Sequence, residues 1–291
     1  MSEPQPPPTA PLPEKPRMFR FRVIPLTLAG SFGALCLMLL FFQNKLLFFP
    51  DRGLPPAAEM NVPGLEEVEF TASDGVTLVS WWLAPRERGR PVVLFCQGNA
   101  GSIEHRSDRA HDARENGWGI LLLGYRGYGK SAGSPDEEGL YRDTRAALAW
   151  LRGRADVDPA RIVYQGESLG CALAMELAVA EPPLCVVLEA PFASLKAIAA
   201  VHYPWLPTSI LVRSRFDNLD AAARLARPLL VAHGTGDEVV PFAQGRAVFD
   251  AARGPKRFVE LPAGHNDLSE RGGREYRAAI RDFVEGAAPA K

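Results

Sequence analysis

Charge of either sign is not in excess: 33 Lys and Arg stand against 34 Asp and Glu, a formal charge of −1. The basic footprint that nucleic-acid binders carry is therefore missing, and no nucleic acid is expected as a partner. Cysteine is also scarce. The four cysteines, Cys36, Cys96, Cys171 and Cys185, form no C-x-x-C pair and no Cys/His cluster. That argues against a disulfide framework and a zinc site, and three of them fall among apolar neighbours and read as small core residues. Long apolar runs are absent as well, with one exception near the N-terminus.

That exception runs from Val23 to Phe42, 20 consecutive residues without a charge. It is long enough to span a bilayer as one helix despite Pro25. Residues 1–22 before it are Pro-rich and polar, a composition that cannot bury enough surface to order itself, and are expected to be a disordered tail. The reading is a transmembrane anchor over residues 23–43. A cleaved signal peptide is the competing reading, but its apolar region is usually shorter, about 7–15 residues, and Leu37 to Phe42 offers no small-x-small site. Lys15, Arg17, Arg20 and Arg22 precede the run, while only Lys45 and Arg52 follow soon after. This bias places the N-terminus in the cytoplasm and the remainder on the non-cytoplasmic side.

The 291 residues supply one substantial core besides these appendages. From residue 60 onward, strand-like and helix-like stretches alternate. Glu67–Ala72 and Thr77–Ala84 read as antiparallel strands around Ser73-Asp74-Gly75; Val92–Cys96, Gly119–Leu123, Arg161–Gln165, Leu184–Leu188, Leu229–Ala232 and Arg257–Leu261 read as further strands. Ser134-Pro135-Asp136-Glu137 has the form of a capping box opening a helix through Leu151. The expectation is an α/β domain over residues 44–291, with a mostly parallel sheet covered on both faces and a short lid at about 191–226.

Within it, Gly166-Glu167-Ser168-Leu169-Gly170 lies between a β-branched, aromatic run and an Ala-rich one. In that strand-to-helix setting G-x-S-x-G is a nucleophile elbow, a sharp turn exposing one serine hydroxyl. A parallel sheet puts its working residues at the carboxyl ends of its strands. Two candidate partners sit there: Asp237 in Gly234-Thr235-Gly236-Asp237-Glu238, and His265 in Gly264-His265-Asn266-Asp267. His265 would take and return the serine proton, and Asp237 would orient the imidazole. His233 is the rival base, and Glu238 and Asp267 are the rival acids. For the oxyanion, the candidate donors are the N–H of Leu169 and, from Gln97-Gly98-Asn99-Ala100-Gly101, that of Asn99, with Gly98 as the alternative.

Five segments carry a resemblance: Gln97–Gly101, Tyr125–Ser131 with Glu138–Tyr141, Gly166–Gly170, Gly234–Asp237 and Gly264–Asp267. Together they resemble the membrane-anchored branch of the α/β-hydrolase superfamily that holds the Bem46-like proteins and their ABHD relatives. The resemblance covers roughly residues 45–285. It implies an α/β-hydrolase fold and a serine hydrolase of esters or thioesters, lipid-like acyl chains included, that needs no metal or organic cofactor. The sequence departs from the family's pattern at Gln97, usually His, at Gly124, usually Asp, and at Cys171, usually a smaller residue.

The short, aromatic lid stretch offers Phe192, Tyr203, Trp205 and Leu206 as substrate-binding candidates, or equally as core packing. Arg126 and Lys130 could meet an anionic head group or simply face solvent. A peptidase or acyltransferase with the same three residues, and a non-catalytic tethered receptor or scaffold, are the alternative functions.

Overall fold

The computed structural model describes residues 18–287, so most of the Pro-rich tail lies outside the described residues. The first helix, α1, runs Met18–Leu47 and contains a 21-residue segment, Thr27–Leu47, long and apolar enough to cross a membrane. It is longer than the 23–43 expected, because no helix-breaking residue separates Met18 from Val23 and extending a formed helix is easier than starting one. The residues up to Phe42 and those from Gln43 on form two separate units.

The strands are β1 (Phe49–Pro50), β2 (Leu65–Thr71), β3 (Thr77–Leu83), β4 (Val92–Cys96), β5 (Ala100–Gly101), β6 (Gly119–Leu122), β7 (Ile162–Glu167), β8 (Val186–Glu189), β9 (Leu229–Gly234) and β10 (Lys256–Leu261). The helices after α1 are α2 (Ser107–Asn116), α3 (Glu137–Arg152), α4 (Leu169–Ala180), α5 (Leu195–His202), α6 (Thr208–Leu211), α7 (Asn218–Arg224), α8 (Phe242–Ala251) and α9 (Leu268–Gly286). Eight strands form one sheet in the order β10-β9-β8-β7-β4-β6-β3-β2. Strand β3 alone is reversed, pairing antiparallel with β2 on one side and β6 on the other, while every other neighbouring pair in this sheet is parallel.

The sheet is covered on both faces, so its inner strands are apolar throughout. In β4, all five residues are buried. Val92, Leu94 and Cys96 face the layer holding α3, α4, α7 and α8, while Val93 and Phe95 face the layer of α2 and α9. Cys96, Cys171 and Cys185 are buried free thiols, as their apolar surroundings implied.

Strand β4 has β6 on one side and β7 on the other, and the chain order reverses there. A crevice therefore opens beyond the carboxyl ends of β4 and β7, where an open α/β sheet places its ligand site. The loop after β4 and the turn after β7 carry Asn99 and Ser168 to this point. The paired strands leave Cys96 opposite Gly166.

Two local expectations are corrected. Helix α3 starts two residues later than the proposed capping box, with Asp136 as the N-cap accepting from the Gly139 N–H at 2.7 Å. A carboxylate there both caps the turn and meets the helix dipole, and the Glu137 carboxylate is used elsewhere, accepting the N–H groups of Arg215 and Phe216 on the return of the lid. Arg126 is neither a head-group ligand nor solvated. It is buried, and bonds the carboxylates of Asp143 and Asp74, while Lys130 pairs with Glu67.

Candidate active site

The turn from β7 into α4 is built by close backbone approach. A Cβ on Gly166 would lie 2.4 Å from the Gly170 carbonyl oxygen, and one on Gly170 would lie 2.0 Å from that of Cys96, so neither position admits a side chain. Between them, Ser168 sits at φ 51°, ψ −111°, a strained conformation for a residue with a Cβ. It is held by its own N–H, which donates to the Glu189 carbonyl at 2.8 Å. The hydroxyl is thereby lifted off the sheet end at the start of α4.

His265 and Asp237 converge on it. Ser168 Oγ is 3.0 Å from His265 Nε2, and His265 Nδ1 is 2.8 Å from Asp237 Oδ2. Because a carboxylate only accepts, Nδ1 carries the proton and Nε2 is left free to accept from the serine. The Asp237 side chain is fully buried, and burial alone would raise its pKa. Hydrogen bonds from His233, His265 and the Val240 N–H outweigh that and hold the carboxyl well below the usual range.

The rivals have other tasks. His233 is buried, donates from Nε2 to the Val240 carbonyl at 2.9 Å and lies 3.4 Å from Asp237 Oδ2, so it braces the acid's loop. Asp267 Oδ1 accepts the Gly264 N–H at 2.6 Å and shapes the turn that carries His265. Glu238 is exposed.

The loop after β4 lies against the elbow: a Cβ on Gly98 would be 3.7 Å from that of Ser168. Leu169 is the first residue of α4, so its N–H has no acceptor within the helix. Asn99 is held from several sides. Its carbonyl accepts from the Phe49 N–H (2.9 Å) and the Tyr128 hydroxyl (2.7 Å), and its Nδ2 donates to the Leu47 carbonyl (2.7 Å). The Gln97 carbonyl accepts from the Tyr125 hydroxyl at 2.8 Å.

The family departures have local reasons. A side chain at Gly124 would meet the Val79 carbonyl oxygen at 2.0 Å. Cys171 Sγ donates to the carbonyls of Gly166 and Glu189, tying the elbow to β8. Gln97 is buried, with its side-chain amide lacking a hydrogen-bond partner among the described residues.

One charged group escaped sequence reasoning. Glu167, inside the pentapeptide, forms a two-pronged pair with Arg106. Burial would raise the Glu167 pKa, but Arg106 holds it below the usual range. The two residues are 61 positions apart, so no spacing announces the pair. With His265, Asn266 and Gly101 they line a cavity of about 370 Å³ beside the serine turn. The lid candidates lie elsewhere: Phe192 is buried in the core, Leu206 is half-buried, and Tyr203 and Trp205 are exposed. None of the four lines this cavity.

Among the described residues, one cluster brings three potential metal-ligand atoms within 4.8 Å of one another: Asp51, Glu104 and His105. Asp51 and His105 are exposed, and His105 Nδ1 already accepts from the Ser102 N–H. The Ser168, His265 and Asp237 side chains are not part of it.

A strained serine at a β7–α4 turn, with aspartate after β9 and histidine after β10, defines an α/β-hydrolase fold and site arrangement. The family model for the alpha/beta hydrolase fold matches residues 91–207, and the chain belongs to this family. An uncharacterized protein of Mycobacterium tuberculosis is 43% identical over 244 residues, covering 83% of this chain and 87% of the relative. The alpha/beta hydrolase domain-containing protein WAV2 of Arabidopsis thaliana is 35% identical over 282 residues, covering 87% and 91%. Among solved structures, the Pyrococcus furiosus esterase Pf2001 superposes with a TM-score of 0.67 at 19% identity, covering 83% of this chain and 98% of the esterase, which shows a shared fold.

Proposed function

We propose that this protein is a membrane-anchored serine hydrolase that cleaves carboxylic esters or thioesters through an acyl-enzyme on Ser168. The observation that carries the reading is the unbroken chain Ser168 Oγ, His265 Nε2, His265 Nδ1, Asp237 Oδ2, with contacts of 3.0 and 2.8 Å. In the reaction, Ser168 Oγ attacks the acyl carbonyl carbon while His265 Nε2 takes its proton. The same proton passes to the departing alcohol or thiol. A water molecule then gives its proton to His265 and its oxygen to the acyl carbon, and Ser168 is released with its proton restored. Asp237 holds the imidazole tautomer and balances the imidazolium charge. The N–H groups of Leu169 and Asn99 receive the oxyanion. No metal or organic cofactor enters these steps. The P. furiosus esterase and an acetyl xylan esterase from Thermoanaerobacterium (TM-score 0.61) share the fold and lend the ester reading support.

The helix Thr27–Leu47 acts as an uncleaved anchor in this reading. Supporting it, the chain just behind the helix is part of the domain: Phe48 is 4% exposed and meets Phe216 edge-on at 6.4 Å. Removal of a leader that included Phe48 would open the core. The basic cluster before the helix supports a domain on the non-cytoplasmic side, and in this reading nearness to the bilayer favours lipid-like acyl substrates.

The test is hydrolysis of p-nitrophenyl esters and acyl thioesters of increasing chain length by the full chain in detergent, beside Ser168→Ala. Turnover by the wild type alone supports the reading; equal rates, or none, defeat it. Resistance to alkaline carbonate extraction, with the N-terminal segment intact by mass, tests the anchor.

A further inference from the structure

The segment between the membrane helix and the sheet does more than connect. Strand β1 runs parallel to β5, pairing Phe49 with Ala100 and Pro50 with Gly101. Four hydrogen bonds tie this segment to the 97–101 loop and the loop beyond it: Asn99 Nδ2 to the Leu47 carbonyl (2.7 Å), Phe49 N–H to the Asn99 carbonyl (2.9 Å), Asp51 N–H to the Gly101 carbonyl (3.0 Å) and Gly129 N–H to the Asp51 carbonyl (2.7 Å). Tyr128 adds its hydroxyl to the Asn99 carbonyl (2.7 Å). Asn99 is therefore gripped through its side chain and its carbonyl, which restrains the residue whose N–H is the proposed oxyanion donor.

We propose that the Asn99 side chain and the Phe49 backbone are positioning elements for the oxyanion loop, making the segment behind the membrane helix a working part of the catalytic apparatus. This rests on the reading of Ser168 and the Asn99 N–H given above. An oxyanion donor acts only when aimed at the place where charge develops, and a displacement of about 1 Å costs up to about 100-fold in rate.

The experiment uses the full chain in detergent with a short, water-soluble p-nitrophenyl ester. Asn99→Ala removes the bond to Leu47 but keeps the Asn99 N–H; Phe49→Pro removes the donor to the Asn99 carbonyl. Each is expected to lower kcat about 10- to 100-fold with KM within about two-fold. Because both act on one residue, the double variant should lose little more than the worse single variant. Should Phe49→Pro fail to fold, Tyr128→Phe takes its place in the same cycle. Unchanged kcat in Asn99→Ala, a rise in KM at constant kcat, or losses that multiply in the double variant each overturn the proposal. A wild type that neither turns over ester nor depends on Ser168 defeats the underlying reading, and this inference with it.

Discussion

His265 stands between two oxygens, 3.0 Å from Ser168 Oγ and 2.8 Å from Asp237 Oδ2, although the three residues come from turns after three different strands. Removing either end of the proton path should be nearly as damaging as removing both. We expect Ser168→Ala and His265→Ala each to lower kcat by about 10⁴-fold or more, and the double variant to fall little further. Steady-state ester hydrolysis measures this, with additive losses counting against a shared proton path.

Asp237→Asn is expected to keep the fold and lower kcat by about 10⁴-fold, because an amide can donate toward Nδ1 and favour the wrong imidazole tautomer. The same carboxylate accepts the N–H groups of Val239 and Val240 at 2.9 and 2.7 Å. A loss of about 1–3 kcal/mol in stability should accompany the kinetic effect, read from urea unfolding.

Arg126→Met should act on stability and spare the chemistry. Arg126 is buried with Asp143, whose pKa burial pushes up even with the guanidinium beside it. Leaving that carboxyl without its partner is expected to cost about 3–5 kcal/mol. KM and kcat measured well below the lowered Tm should stay close to wild type.

Acid should unfold the protein partly through Asp74, which hydrogen bonds from Arg126 hold at about 2. The unfolded chain takes up this proton near pH 3.9, before the folded one does. The contribution is therefore complete above about pH 4 and is lost as pH falls from about 4 toward 2. Asp74→Asn should flatten the dependence of the urea midpoint on pH over that interval; an unchanged slope would count against the pair.

Burial pushes the Cys96 and Cys185 thiols up to about 12, and Cys171 higher than its ordinary value. Iodoacetamide at pH 8 should leave all three unmodified in the folded protein and modify them after denaturation, as peptide mass spectrometry will show. Rapid labelling of Cys171 in the native state would mean that the elbow opens.

Much of this architecture was legible because it is written in short-range patterns. Apolar runs such as Val92–Cys96 are buried on both faces, and the glycine at 166 is required by contacts within the elbow itself, whereas the one at 170 answers to the Cys96 carbonyl on the neighbouring strand. The order Ser168, Asp237, His265 needed only strand ends to be found. What remained hidden was pairing over distance. The Arg106–Glu167 pair, the burial of Arg126 with Asp143 and Asp74, and the Leu47–Asp51 clamp on Asn99 join residues far apart in the chain, and neither period nor propensity encodes them. The displaced start of α3 is a different case: Ser134 and Asp136 are both good caps, and the choice falls to Asp136 because the Glu137 carboxylate is engaged by the lid's backbone.

The proposed activation of Ser168 by His265 is open to a direct chemical test: treatment of the full chain with a fluorophosphonate, with the adduct mapped by peptide mass spectrometry. We expect one stoichiometric adduct on Ser168, absent in Ser168→Ala and strongly slowed in His265→Ala; an unlabelled Ser168 in folded protein, or labelling at a rate indifferent to His265, would refute the proposed nucleophile.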